Sequence, residues 1–144
     1  MNPEIFTDKT SEIISKAQTL ALDYSHVAIQ PIHILIALFQ DEDSFLKSVL
    51  TKSNVDIKTA ERKAQSILVK LPSQDPPPTS ISISGSTAQV LRKADDLRKL
   101  QHDSHLSVDH LLLALLEQSE ILDIFDINNK KPLEKAILDA RGNK

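Results

Sequence analysis

The chain has 144 residues, 40% hydrophobic but only 3% aromatic, and its 17 basic residues against 20 acidic ones leave a formal charge of −3. That length suits one domain burying roughly two-thirds of its unfolded surface, and the acidic balance offers no basic footprint for nucleic acid. The absence of cysteine removes disulfides and thiolate metal sites and fits a reducing compartment. Two glycines and an aliphatic apolar set predict an all-α fold rather than a sheet. Met1-Asn2-Pro3-Glu4 opens no apolar secretory segment, and Asp8 and Glu12 argue against a transit peptide. No run reaches the roughly 18 apolar residues of a membrane span, so a soluble, cytoplasmic chain without membrane contact is expected.

Thr7 is the predicted N-cap of a first helix carrying Ile13, Ile14, Ala17, Leu20, Ala21 and Tyr24 at helical spacing, which Ser25-His26 ends. Gln30-Pro31 opens a second helix, with proline at a first position where its missing N–H costs nothing. Residues 32–39 leave that helix almost no polar face, which predicts burial on all sides. A short third helix follows Asp43-Ser44, and a fourth starts near Asn54 with a stripe from Ile57 to Leu71. Pro72 to Ser86, stiffened by Pro76-Pro77-Pro78, reads as the linker. Ser86-Thr87-Ala88-Gln89 then fits a capping box for a fifth helix with Val90, Leu91, Ala94, Leu97 and Leu100 as its stripe. Ser107 caps a sixth from Val108 to Leu116, Ser119 and the stretch from Asn128 to Pro132 introduce two more, and Gly142 is the expected stop.

The chain repeats itself. Residues 10–39 moved forward by 77 fall on 87–116 without a gap, with eight identities in thirty, among them Thr10/Thr87, Ala17/Ala94, His33/His110 and Leu38/Leu115. Two copies are too few for a solenoid. They predict two four-helix repeats related by a pseudo-two-fold, repeat one at 6–71, linker at 72–86 and repeat two at 87–142, with the seam between copies a natural place for a groove.

Chemistry-bearing patterns are sparse. His33 and His110 share one position, on the first turn of the buried helix in each copy. A metal would need the two to face each other, whereas a histidine hydrogen-bonded near a helix start is the commoner role. Asp41-Glu42-Asp43 lies at a helix junction where acids favour the following N-terminus, and Asp95-Asp96 lies on an outer face where charges are solvated. Neither buries one carboxylate against another as general acid–base work requires, and no phosphate-cradling glycine loop or nucleophile elbow is present. Leu91 and Leu97 belong either to the core or to an apolar channel rimmed by Lys93, Asp103, Asp109 and His110.

Asn2-Pro3-Glu4-Ile5-Phe6-Thr7, the segment Ala17 to Leu22, Pro31-Ile32-His33-Ile34-Leu35, Lys70-Leu71-Pro72-Ser73-Gln74, Leu106-Ser107-Val108-Asp109 and Arg141-Gly142-Asn143 together resemble the amino-terminal domain of the Clp, or heat-shock-100, family. Leu71-Pro72-Ser73-Gln74 and the proline run look most like the cytosolic eukaryotic branch of ClpB-type disaggregases. The resemblance implies a mobile, non-catalytic appendage, monomeric in isolation, of a homo-hexameric ATP-driven unfoldase that works with a DnaK-type chaperone system. ATP and magnesium would be used by rings outside this segment, with no cofactor in the domain itself. Unfolded or aggregated polypeptides would be its partners, captured by Thr7, Leu91, Lys93, Leu97, Asp103, Asp109 and His110, of which Lys93 and His110 stand where the bacterial disaggregase has leucines. That departure implies a groove that is narrower or more polar, with His110 a candidate for pH sensitivity. Another branch reads phosphorylated arginine with an acid before each histidine; Asp109 fits that pattern and Ile32 does not. The alternative is a docking platform for an adaptor or for the unfoldase rings, without client contact.

Overall fold

The computed structural model describes residues 2–142. After a 3-10 turn at Pro3–Ile5 come α1 (Asp8–Asp23), β1 (Ala28–Ile29), α2 (Pro31–Gln40), α3 (Phe45–Lys52) and α4 (Ile57–Lys70). The second half continues with β2 (Ser82–Ile83), α5 (Gly85–Leu100), α6 (Val108–Leu115), α7 (Ser119–Phe125) and α8 (Lys131–Gly142). The bounds of α5 are those of α1 moved by 77 residues, so the offset read from the sequence carries through to backbone geometry. The stop expected at Gly142 depends on the residues beyond it, which lie outside the described ones.

Local chemistry sets the helix starts. Thr7 Oγ1 accepts the Thr10 N–H at 3.1 Å, and in the second copy Ser84 Oγ accepts the Thr87 N–H at 3.0 Å. Ser84, not Ser86, is therefore the cap, and α5 begins inside the stretch read as linker. The reason is tertiary: Ser84 directly follows β2, and its N–H donates to Ile29 O at 3.0 Å, which sets the chain direction into the helix. Thr7 mirrors this, its N–H donating to Leu106 O at 3.0 Å.

These paired contacts define how the copies interlock. Ile29 pairs in parallel with Ile83, and Phe6 pairs in parallel with Leu106; adding 77 converts 6 to 83 and 29 to 106. Each copy's lead-in segment is thus hydrogen-bonded to the other copy, just ahead of that copy's buried helix. Helix packing across the halves repeats the exchange, with α1 on α6 and α2 on α5, and α3 on α8 and α4 on α7. Every residue of α2 from Pro31 to Phe39 is buried, as are Asp109 to Leu115 of α6. Leu35, Ala37, Leu38, Leu112, Ala114 and Leu115 all lie in that shared core, as the repeat predicted. The fold is all-α apart from the short parallel pair.

Candidate binding cleft at the repeat seam

Where the start of α1, α3, the start of α6 and the end of α8 meet, they leave a cleft of about 760 Å³. Phe45, Val108 and Ala140 give it an apolar floor, with Thr7, Lys9 and Asp109 among its walls. Lys9 Nζ lies 2.9 Å from Asp41 and 3.0 Å from Asp43. The Asp41 hydrogen bond, followed by that to Asp43, raises the Lys9 pKa above its ordinary value. The acidic run expected to serve the next N-terminus therefore clasps a lysine of α1 instead. The α3 start is shaped by Ser44 in the left-handed region, φ 53°, with no side-chain cap.

Behind the cleft lies a compact ionic cluster. Asp109, 2% exposed, accepts from the Ser107 hydroxyl and from Arg141 Nε, and Arg141 also donates to Asp103. Burial works to raise the Asp109 pKa, but Ser107, His110 and Arg141 outweigh it and hold the carboxyl below its usual range. His110 has no exposed surface. Its Nδ1 accepts the Ser107 N–H at 3.0 Å, so its Nε2 carries the proton and donates to Asp103 Oδ2 at 2.8 Å. A histidine here takes the part of the acid in a capping box, at the mouth of α6. Copy one builds the same corner differently. His33 Nδ1 accepts the Gln30 N–H at 2.8 Å, and its Nε2 lies 2.8 Å from Nδ1 of His26, the residue 77 positions before Asp103. The capping role expected for both histidines is thus what the geometry displays, with two different partners.

The seven predicted site residues do not share one opening. Thr7 and Asp109 line the seam cleft. Asp103 and His110 belong to the cluster beneath it, His110 in the interior rather than on a rim. Leu91 faces a separate groove of about 420 Å³ along α5. Leu97 is half-buried against the core, and Lys93 is exposed, with Glu117 at 3.9 Å. At 100° per residue Leu97 and Lys93 lie well round the helix from Leu91, which accounts for the division. Asp95 also departs from its expected place: it is half-buried and accepts from Arg98 Nε at 2.7 Å.

Lys9, Phe45, Val108, Ala140 and Arg141 also belong to the site, although the sequence reading assigns none of them to it. Arg141 reaches Asp109 across 32 residues and Asp103 across 38, separations at which no periodicity or motif connects an arginine to its partner. Among the described residues no group of three or more histidine, aspartate or glutamate side chains is placed to hold a metal ion.

A helical domain built as a duplicated repeat, its halves exchanging their lead-in segments around an open seam, defines the class. The chain belongs to the family described as Clp repeat (R) N-terminal domain, which matches residues 5–126. It is 36% identical over 145 residues to heat shock protein 104 of Schizosaccharomyces pombe, covering 96% of this chain and 16% of that protein. Against the chaperone protein ClpB of Bacillus cereus strain ATCC 14579 the identity is 32% over 153 residues, covering 95% and 16%. The chain therefore spans about a sixth of the length of these curated relatives. Among solved structures it resembles the Hsp104 N-terminal domain from Candida albicans, with TM-score 0.88 and 35% identity over 96% of this chain and 93% of that one. The ClpV N-domain, solved in complex with a VipB peptide, shares the fold at TM-score 0.74 and 16% identity over 94% and 89%.

Proposed function

We propose that this domain captures short, extended apolar segments of unfolded or aggregated polypeptides in the seam cleft. In a longer chain it hands them to a hexameric, ATP-driven disaggregase that acts with a DnaK-type chaperone system in the cytoplasm. The domain itself uses neither ATP nor magnesium. The observation that carries the reading is the floor of Phe45, Val108 and Ala140, left open at the seam while Lys9 and Asp109 beside it are ion-paired. Lys9 is held by two aspartates and Asp109 by Arg141, so these side chains are ion-paired, and the cleft offers apolar contact with a slight acidic excess along its lining. Its volume falls in the about 300–1,000 Å³ range of pockets that take small ligands or a few side chains. The peptide carried by the ClpV N-domain is consistent with an occupant of that kind on this fold.

In this reading Thr7 and Asp109 touch the segment, while Asp103 and His110 act by holding Asp109 and the start of α6 in place. A contact of this size belongs to the weak class, with dissociation constants of roughly micromolar to millimolar. Weak capture suits a segment that must leave again, and six linked copies would restore avidity. The test is a titration of isotope-labelled domain with a permanently unfolded model protein. Shifts centred on Phe45, Val108 and Ala140 are expected, and Val108→Asp should abolish them with the fold intact. Shifts that avoid the cleft would overturn the reading in favour of a docking platform for an adaptor or for the unfoldase rings.

A further inference from the structure

We propose that the cavity between β1 and the chain leaving α4 binds a small carboxylate with a short apolar body, which accepts a hydrogen bond from His26 Nε2. His26 lines this cavity together with the apolar Val27, Ala28, Leu71 and Pro72, and it encloses about 210 Å³. That is room for a single side chain or an acid of similar size, below the about 300–1,000 Å³ of pockets for larger ligands. A relay of hydrogen bonds ends here. The Gln30 N–H can only donate, and it does so to His33 Nδ1 at 2.8 Å. Near neutral pH both rings are uncharged, because burial lowers the pKa of each, so the His33 proton sits on Nε2. His33 donates it to His26 Nδ1 at 2.8 Å, which leaves the His26 proton on Nε2. His26 is 3% exposed, and among the described residues its Nε2 has no hydrogen-bond partner. With Nδ1 turned inward to His33, Nε2 is the ring nitrogen left for the cavity. A buried donor without an acceptor is costly, so a group from outside that supplies one is favoured.

The duplication says which acceptor completes the relay. In copy two the Ser107 N–H donates to His110 Nδ1, and His110 Nε2 donates to the carboxylate of Asp103, 77 residues after His26. That relay ends on a carboxylate of the chain itself. Copy one carries a second histidine at the equivalent position, which lengthens the relay by one donor and leaves the acceptor to a ligand. A carboxylate is the stronger acceptor for an N–H, and it is the group that copy two uses. Arg141, which pairs with Asp103 in copy two, has Ala64 as its counterpart in copy one. An incoming carboxylate therefore meets no equivalent cation, and its affinity is modest. Val27, 54% exposed, with Leu71 and Pro72 supplies apolar contact for the stem of the acid.

The test titrates isotope-labelled domain at about pH 7.5, where both histidines are neutral, with isovalerate, with its neutral amide and with N-acetylleucine. Isovalerate should shift the His26 Nε2 resonance and the amides of Val27, Ala28 and Ser73 together, with one dissociation constant on the order of millimolar. The neutral amide should bind about fivefold more weakly or less, because its oxygen carries no charge. Shifts at the same residues with N-acetylleucine assign the ligand to polypeptide chain ends, and shifts with isovalerate alone assign it to free acids. His26→Asp, which gives copy one the internal ending of copy two, should abolish binding. Ala28→Leu, which fills the cavity and leaves the relay intact, should abolish it too, and decides the matter if the aspartate variant fails to fold. Val108→Asp in the seam cleft should leave the isovalerate shifts unchanged. Equal binding of the amide, shifts that fail to saturate or avoid the cavity, or binding retained by Ala28→Leu would overturn the proposal.

Discussion

The His26–His33 pair should make the fold sensitive to mild acid. Both rings are buried, and His33 Nε2 lies 2.8 Å from His26 Nδ1. Burial, then the neighbouring His26, push His33 down to about 4, and burial lowers His26 as well. An unfolded histidine titrates near about 6.5, so above that pH the pair is neutral in both states and adds no pH dependence. As pH falls from about 6.5 towards about 4, the unfolded chain takes up protons that the folded one refuses, and stability is lost. For His33 the full loss is on the order of 3 kcal/mol, complete only near the folded value. Each refused proton contributes a slope of about 1.4 kcal/mol per pH unit, and His26 adds up to a second. Urea unfolding at closely spaced pH values between about 7 and about 5, above the main carboxylate range, measures that slope. His26→Asn keeps an oxygen to accept the His33 Nε2–H but removes one titrating ring, so its slope should fall towards the one-proton value. Equal slopes for the wild type and His26→Asn would refute the assignment.

Leu112→Ala should cost roughly 2–5 kcal/mol in denaturant unfolding, because the side chain is fully buried in the core shared by both halves. Thr7→Ala and Ser84→Ala should each cost about 0.5–2 kcal/mol by removing equivalent caps, and a cost confined to one of them would contradict the symmetry. Arg141→Gln strips the partner from a buried carboxylate and should destabilise the domain by about 1–3 kcal/mol near neutral pH. The depressed Asp109 pKa means that its stabilisation is present above the unfolded carboxylate value and lost as pH falls through the folded one. The gap between Arg141→Gln and wild type should accordingly close in acid, and calorimetric unfolding at two pH values would show it.

Much of this fold could be read from local pattern. The 77-residue offset predicted paired helices in the two copies, which the structure places at 8–23 and 85–100, and the nearly unbroken apolar runs of α2 and α6 predicted their burial. The Thr7 cap was legible for the same reason: caps and helical stripes are decided within one or two turns of chain. Tertiary contact decided the rest. Ser84 caps α5 because β2 reaches back to Ile29, and Asp109 stays charged in the interior because Arg141 arrives from the last helix. His26 looked like a polar stop to α1, yet it is buried as the partner of His33. The candidate residues parted for a similar reason. Leu91, Leu97 and Lys93 lie within two turns of one helix, but a helix points residues six and two apart in different directions, and only packing decides which face meets a partner. The sequence alone thus settled which segments are helices and that there are two copies of them, through interactions that span a few residues. Only the tertiary structure decided which side chains face the seam, the α5 groove or the core, because that depends on contacts between residues far apart in the chain.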